Sequence, residues 1–213
     1  MIPIESLIPF MLASIVLIAS PGPDNVFVIT QSAMHGSKTG ILVTLGLVSG
    51  LIFHTSAVAF GVAALLQTSE LAFTLLKIVG ALYLTYLAWQ AFNAHKTKLN
   101  SEKLLARSPW QLYRRGIIMN ITNPKVTIFF LAFLPQFVSA HEGAIAGQVF
   151  LLGAVFAALG LSIFIVFALL AGKIGRWLNQ SEKAQLYINR SAGLVFVGLA
   201  LNLLFSNERI ESN

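Results

Sequence analysis

Along its length the chain alternates long apolar runs with short polar interruptions. A bilayer's hydrocarbon core of about 30 Å needs about 20 helical residues at about 1.5 Å rise each, and six runs meet that length. They fall near Leu7 to Ser32, Ile41 to Leu66, Leu71 to Phe92, Gly116 to Val138, Ala146 to Ala171 and Tyr187 to Phe205. The second and fifth are the cleanest. Apart from His54, no ionisable side chain interrupts Thr39 to Ser69, and none interrupts Gly143 to Gly172. Both are too long for soluble core helices. The pattern predicts an all-α polytopic membrane protein with six transmembrane helices in a single domain, residues 1–213.

Two of the six runs cannot be continuous helices. The first carries Ser20-Pro21-Gly22-Pro23-Asp24-Asn25 and the fourth carries Asn120-Ile121-Thr122-Asn123-Pro124-Lys125. Each proline removes a backbone donor and crowds the preceding turn. The backbone groups so freed cannot face lipid, so both segments are expected to turn toward other helices or a wet cavity. In each, a charge follows the last proline: Asp24 in one, Lys125 in the other. Asp24 lies ten residues before Met34 and Lys125 ten beyond Arg115, which places both roughly 15 Å deep at about 1.5 Å per residue. Charges at that depth cost about 2.5 to 3.5 kcal/mol each on insertion scales, so they persist where paired or functional. Two readings stay open. Asp24 and Lys125 form an ion pair that locks two halves together, or they meet the ammonium and carboxylate of a zwitterion. In the second case the helix N-termini after each break add partial positive charge toward the carboxylate.

The two halves resemble one another in order as well as in design. Pro23 matches Pro124, Gly46 matches Gly153, and Lys77-x-x-Gly80 matches Arg190-x-x-Gly193. One half runs to about residue 92, the other from about 116 to 206, with a basic loop 93–115 between them. Three spans per half is an odd number, so the second copy enters the membrane from the opposite side, giving a 3+3 inverted-topology repeat.

Composition agrees with the membrane reading. Of 213 residues 56% are hydrophobic and 10% charged, whereas soluble domains carry about 25% charged residues. The net charge of +6 does not mark a nucleic-acid binder, because the basic residues sit in short loops between apolar runs rather than on one face. They are asymmetric across the membrane. Lys38, then Lys96, Lys98, Lys103, Arg107, Arg114 and Arg115, then Lys173, Arg176, Lys183 and Arg190 share one side, and Arg209 alone lies on the other. Retention of Lys and Arg in the cytoplasm predicts a multi-pass inner-membrane protein with both termini periplasmic. No Lys or Arg precedes Lys38, so the first span is expected to remain as a span rather than act as a cleaved signal. The chain has no cysteine, which excludes disulfides and thiolate metal sites. No P-loop is present, so active transport would draw on an ion gradient or a partner. Neither a cofactor nor a metal is expected.

Lesser candidates are polar residues within the spans. His54 is placed either to couple transport to protons or to hydrogen-bond between helices. Lys77 either lines the pathway or snorkels to the outer interface. Gln31, Tyr83, Asn120 and Asn202 are polar positions that suit a cavity. Gly40, Gly46, Gly50, Gly147, Gly153 and Gly160 recur at near-helical spacing and predict close helix packing. Trp110 and Trp177 read as interface anchors. Apolar helix surfaces meet lipid or a second copy equally well, so a homodimer is compatible with the sequence.

The two proline motifs, together with Phe-Leu-Pro-Gln-Phe at 133–137, resemble the LysE/RhtB family of bacterial amino-acid exporters, and length, span number and basic central loop match across nearly the whole chain. The resemblance implies secondary export of amino acids or close derivatives such as threonine, homoserine, homoserine lactone, leucine or lysine, with proton antiport. By position its Pro-Gly-Pro element falls on Pro21, Gly22 and Pro23, and its Asn-Pro-Lys element on Asn123, Pro124 and Lys125. Substrate-binding or coupling residues are thus expected among these six with Asp24, Asn25 and Asn120, and secondarily among Gln31, His54, Lys77 and Tyr83. A divalent-cation or other small-metabolite exporter is the rival reading. A cation exporter wants several anionic oxygen ligands, whereas Asp24 is the only acid within the spans. A membrane-embedded enzyme would need a convergent nucleophile, base or metal cluster, and His54 with Ser56 falls short of that.

Overall fold

The structure, a computed structural model, describes residues 2–68, 70–94, 108–139, 142–180 and 182–205. Among the described residues all regular structure is helical: α1 (Ile4–Ala19), α2 (Pro23–His35), α3 (Ser37–Thr68), α4 (Glu70–Phe92), α5 (Pro109–Ile121), α6 (Pro124–Ile128), α7 (Ile145–Gln180) and α8 (Glu182–Phe205). Between α6 and α7 the chain makes a π-helical turn at Phe129–Phe133 and a 3-10 turn at Leu134–Phe137.

Three stretches are long and apolar enough to cross a membrane: Ser37–Gly61, Ile145–Ala171 and Gln185–Phe205. Two bent pairs raise the number to five when each counts as one broken span. These are α1 with α2, bent by 57°, and α5 with the segment Pro124–Phe137, bent by 49°. Both bends fall at the expected proline motifs. The remaining expected span, Leu71 to Phe92, coincides with the 23-residue helix α4, which is not among those five.

Each break follows from backbone accounting. An α-helical N–H donates to the carbonyl four residues back, so Pro21, Pro23 and Pro124 take away the α-helical donors of the Leu17, Ala19 and Asn120 carbonyls; the Asn120 carbonyl accepts instead from the Asn123 amide, at 3.0 Å. The arms after the breaks both start with proline in the first helical turn, Pro23 after Gly22 and Pro124 after Asn123, where its missing N–H has no intrahelical partner to lose. The second broken helix begins at Pro109, ahead of the expected Gly116, because Ser108 and Gln111 close a capping box. The Gln111 amide donates to Ser108 Oγ at 3.3 Å, and the Ser108 amide donates to Gln111 Oε1 at 3.0 Å. Together they satisfy two of the helix's orphan donors. Part of the expected basic loop is therefore helix, while its residues 95–107 lie outside the described residues.

Helices approach closely where glycines permit it. A Cβ on Gly46 would stand 2.0 Å from the Tyr113 carbonyl oxygen, and one on Gly116 would stand 2.3 Å from that of Val43. α3 and α5 thus cross backbone to backbone. Gly40 makes room for Ser32, Gly50 for Asn120 and Gly153 for Thr55. Gly147 faces open space, and a Cβ on Gly160 would meet only Ile18 Cδ1 at 3.9 Å, so the packing role expected of the six glycines holds for four. Trp110 is exposed and stacks on Tyr113.

The apolar core is aromatic where α1 meets the π turn and α7. Phe129 lies 6.0 Å from Phe10, 5.0 Å from Phe133 and 5.3 Å from Phe156, centroid to centroid. Pro135 removes the donor for the Leu131 carbonyl and crowds that turn, and the chain there has widened from α to π. The widened turn sets successive phenylalanines, Phe129 and Phe130, both against Phe156.

Candidate functional site

The two breaks face one another, and side chains repair what the prolines removed. Lys125, just past the second break, donates from Nζ to the Leu17 carbonyl at 2.8 Å and to the Ser20 carbonyl at 3.0 Å. The Leu17 carbonyl is the one orphaned by Pro21. Asn25 donates from Nδ2 to the Ile18 carbonyl at 2.8 Å. At the second break, His54 of α3 donates from Nε2 to the Asn120 carbonyl at 3.1 Å, which also accepts from the Asn123 amide at 3.0 Å. A carbonyl only accepts, so the proton on this histidine sits on Nε2.

Asp24 and Lys125 are not in direct ion-pair contact, although each lies within the other's electrostatic reach. The carboxylate takes its hydrogen bond from Asn123, Nδ2 to Oδ2 at 2.7 Å. The same Asn123 accepts through Oδ1 from the Lys125 amide at 3.0 Å, as an N-cap side chain does. Asn123 thereby ties the start of α6 to the start of α2. Gly22 is extended, φ −171°, a conformation open to any residue, so glycine is not needed there for the backbone. What matters is room: a Cβ would stand 3.3 Å from Lys125 Nζ.

Asp24, Asn25, Asn120 and Lys125 line one cavity with apolar residues of α1, α3 and α7, among them Leu17, Leu51, Phe156 and Gly160. It measures about 20 Å³, room for about one water and far too small for an amino acid, so this conformation is closed. Three oxygens on its polar lining residues are buried without a hydrogen-bond partner: Asp24 Oδ1, Asn25 Oδ1 and Asn120 Oδ1. Their side chains are 5%, 4% and 4% exposed. Buried acceptors left unmatched cost about 1 to 3 kcal/mol each, more for a charged one, so such a group points to something not present in the chain itself.

The other expected positions divide. Pro21, Pro23 and Pro124 shape the breaks without lining the cavity. Tyr83 and Lys125 border a second, apolar crevice with Gly80, Leu84 and Phe129. His54 is occupied by Asn120 and packs on Phe130. Lys77, half-buried on α4, lines neither space. The Asn202 and Trp177 side chains lie outside those described. Gln31 is buried about two turns along α2 from Asp24, with Nε2 unpartnered, and beside it Ser32 Oγ is also unpartnered. Ser32 has no sequence signal beyond its place one turn and two turns from Val28 and Asp24 on the buried face of α2.

Comparison with known proteins gives a consistent picture. The LysE type translocator family profile matches residues 15–207. The chain is 31% identical over 188 residues to the homoserine/homoserine lactone efflux protein of Salmonella typhimurium, covering 88% of this chain and 90% of that one. It is 30% identical over 199 residues to the leucine efflux protein of an Enterobacter species, covering 91% and 92%. An uncharacterized membrane protein of Bacillus subtilis is 27% identical over 206 residues, covering 92% and 97%. No solved structure matches the chain.

Proposed function

We propose, since the chain belongs to the LysE type translocator family, that it exports amino acids or close derivatives of the threonine, homoserine or other neutral class through the space between its two helix breaks. The observation that carries this reading is the cluster of unpartnered buried oxygens on Asp24, Asn25 and Asn120 beside Lys125, in a cavity walled by both halves of the chain. The names of two relatives support the substrate class: leucine, homoserine and homoserine lactone are all primary amines of small size. Transport is secondary and proton-coupled, with the closed state giving way to inward- and outward-open states by movement of one half against the other.

The full arrangement is six spans in a 3+3 inverted repeat, with α4 as the third span and both termini in the periplasm of an inner-membrane protein. Its support lies in the neighbours. α3 packs on α7, and α4 packs on α8. These are the pairs that a two-fold axis relating the halves would map onto themselves. A divalent-cation exporter is less well supported, because such an ion wants several anionic oxygen ligands and Asp24 is the one acid lining the cavity.

The test is efflux of preloaded, labelled neutral amino acids, homoserine and homoserine lactone from cells with and without the protein. Asp24→Asn keeps an acceptor for Asn123 and removes the charge, so it is expected to reach the membrane at wild-type level. Loss of one charged hydrogen bond to substrate corresponds to about a 10- to 150-fold fall in efflux. Wild-type efflux in that variant would remove Asp24 from the site, and no accelerated loss of any solute would remove the export reading. Gly160→Leu is a second expected result. Its Cβ has space, but the larger side chain overfills a cavity of about 20 Å³, so the variant is expected to block efflux, and its melting temperature in detergent tells a filled pathway from a misfolded protein. Unimpaired transport in that variant would place the pathway elsewhere.

A further inference from the structure

We infer that the handle by which this site grips its substrate is the primary ammonium group, and that a free carboxylate is dispensable. The inference rests on the export reading above and sharpens its substrate class. An ammonium offers three N–H donors and no acceptor. The cavity's unmet valences are of the opposite kind: three buried acceptor oxygens, one of them on a carboxylate. The cavity is closed down to about 20 Å³, the space of one small hydrogen-bonding group, and an ammonium head is of that size.

The group that would otherwise take the carboxylate is engaged elsewhere. Lys125 spends two of its three donors on the Leu17 and Ser20 carbonyls, and withdrawing it would reopen the break in the first span. The amide groups beside it are used as well. The Lys125 amide donates to Asn123 Oδ1, Asn123 Nδ2 to Asp24, and Asn25 Nδ2 to the Ile18 carbonyl. One Lys125 N–H and the Asn120 amide nitrogen remain unspent, but the buried atoms left unpartnered at this cavity are all acceptor oxygens, one of them on a carboxylate, which favours a donor ligand. The same chemistry would suit a bound sodium ion, and the experiment separates the two.

The test uses the full chain purified in detergent, with thermal unfolding read in the presence of leucine, leucine methyl ester, N-acetylleucine, and sodium chloride against choline chloride. The ester keeps the ammonium and loses the carboxylate; the acetyl compound does the reverse. Leucine and its ester, each at tenfold above its Kd, are expected to raise the melting temperature by roughly 3 to 6 °C. N-acetylleucine and sodium should leave it unchanged, and Asp24→Asn should lose the shift. A shift with N-acetylleucine equal to that with leucine, a shift with sodium over choline, a shift retained in Asp24→Asn, or none with the ester overturns the assignment. Efflux separates the two levels: ester binding by a protein that exports no amino acid keeps the ammonium site and sinks the export reading. Leucine export without ester binding does the opposite.

Discussion

Lys125→Met is expected to destabilise the folded protein far more than Asp24→Asn does. Methionine matches the length of the lysine stem but donates nothing, so the Leu17 and Ser20 carbonyls lose the partner that replaces the helix bonds missing there. Two buried acceptors left unpaired cost about 2 to 6 kcal/mol together, at about 1 to 3 kcal/mol each. The loss appears as a lower melting temperature in detergent and as reduced yield in the membrane, before any question of transport. Asp24→Asn should unfold near the wild-type temperature while failing in efflux. If Lys125→Met melts like wild type, the lysine is not holding the break, and its place at the cavity must serve substrate instead.

The second large effect is expected at the crossing of α3 and α5. Gly116→Val puts side-chain atoms where the Val43 carbonyl and the Gly46 backbone already sit. Because the opposing atoms are backbone rather than the tip of a flexible side chain, relief requires the two helices to separate. Overpacking of this kind costs about 3 kcal/mol, at the upper end of its usual range, and is read as a fall in melting temperature. Gly147→Val, at a glycine with nothing within 4 Å, serves as the control and should be near neutral. Similar melting of the two variants would show that α3 and α5 do not approach as described.

Much of this could be read in the amino-acid sequence, and what could not has a specific cause. Proline chemistry located both bends, and the two charges that follow those prolines, Asp24 and Lys125, line one cavity. The partners of those charges were harder to see, because the obvious partner for a buried cation is a buried anion, and backbone carbonyls carry no letter in a sequence. The affected carbonyl lies four residues back from each proline. Pro21 leads to Leu17 and so to Lys125; Pro124 leads to Asn120, whose carbonyl the Asn123 amide and His54 share. The helix start at Ser108 is also written in the chain, as Ser-Pro-Trp-Gln, but the basic residues around it suit a loop equally well. The π turn has a weaker signature. Pro135 predicts trouble in the turn before it without saying whether the helix will kink, end or widen.

The repair of one half by the other also has a consequence in time. The Leu17 and Ser20 carbonyls are made 108 and 105 residues before the lysine that satisfies them. At about 5 to 20 residues per second of synthesis, that interval is about 5 to 20 s. Throughout it the first broken span exists without its cap, and the segment from Leu17 to Pro23 cannot rest in hydrocarbon. It must stay hydrated, or be sheltered by whatever inserts the chain, until Pro124 and Lys125 arrive. The newborn first half is therefore a client awaiting its sibling, and a ribosome stalled before Lys125 would leave in the membrane a fragment that quality control can recognise by its bare backbone.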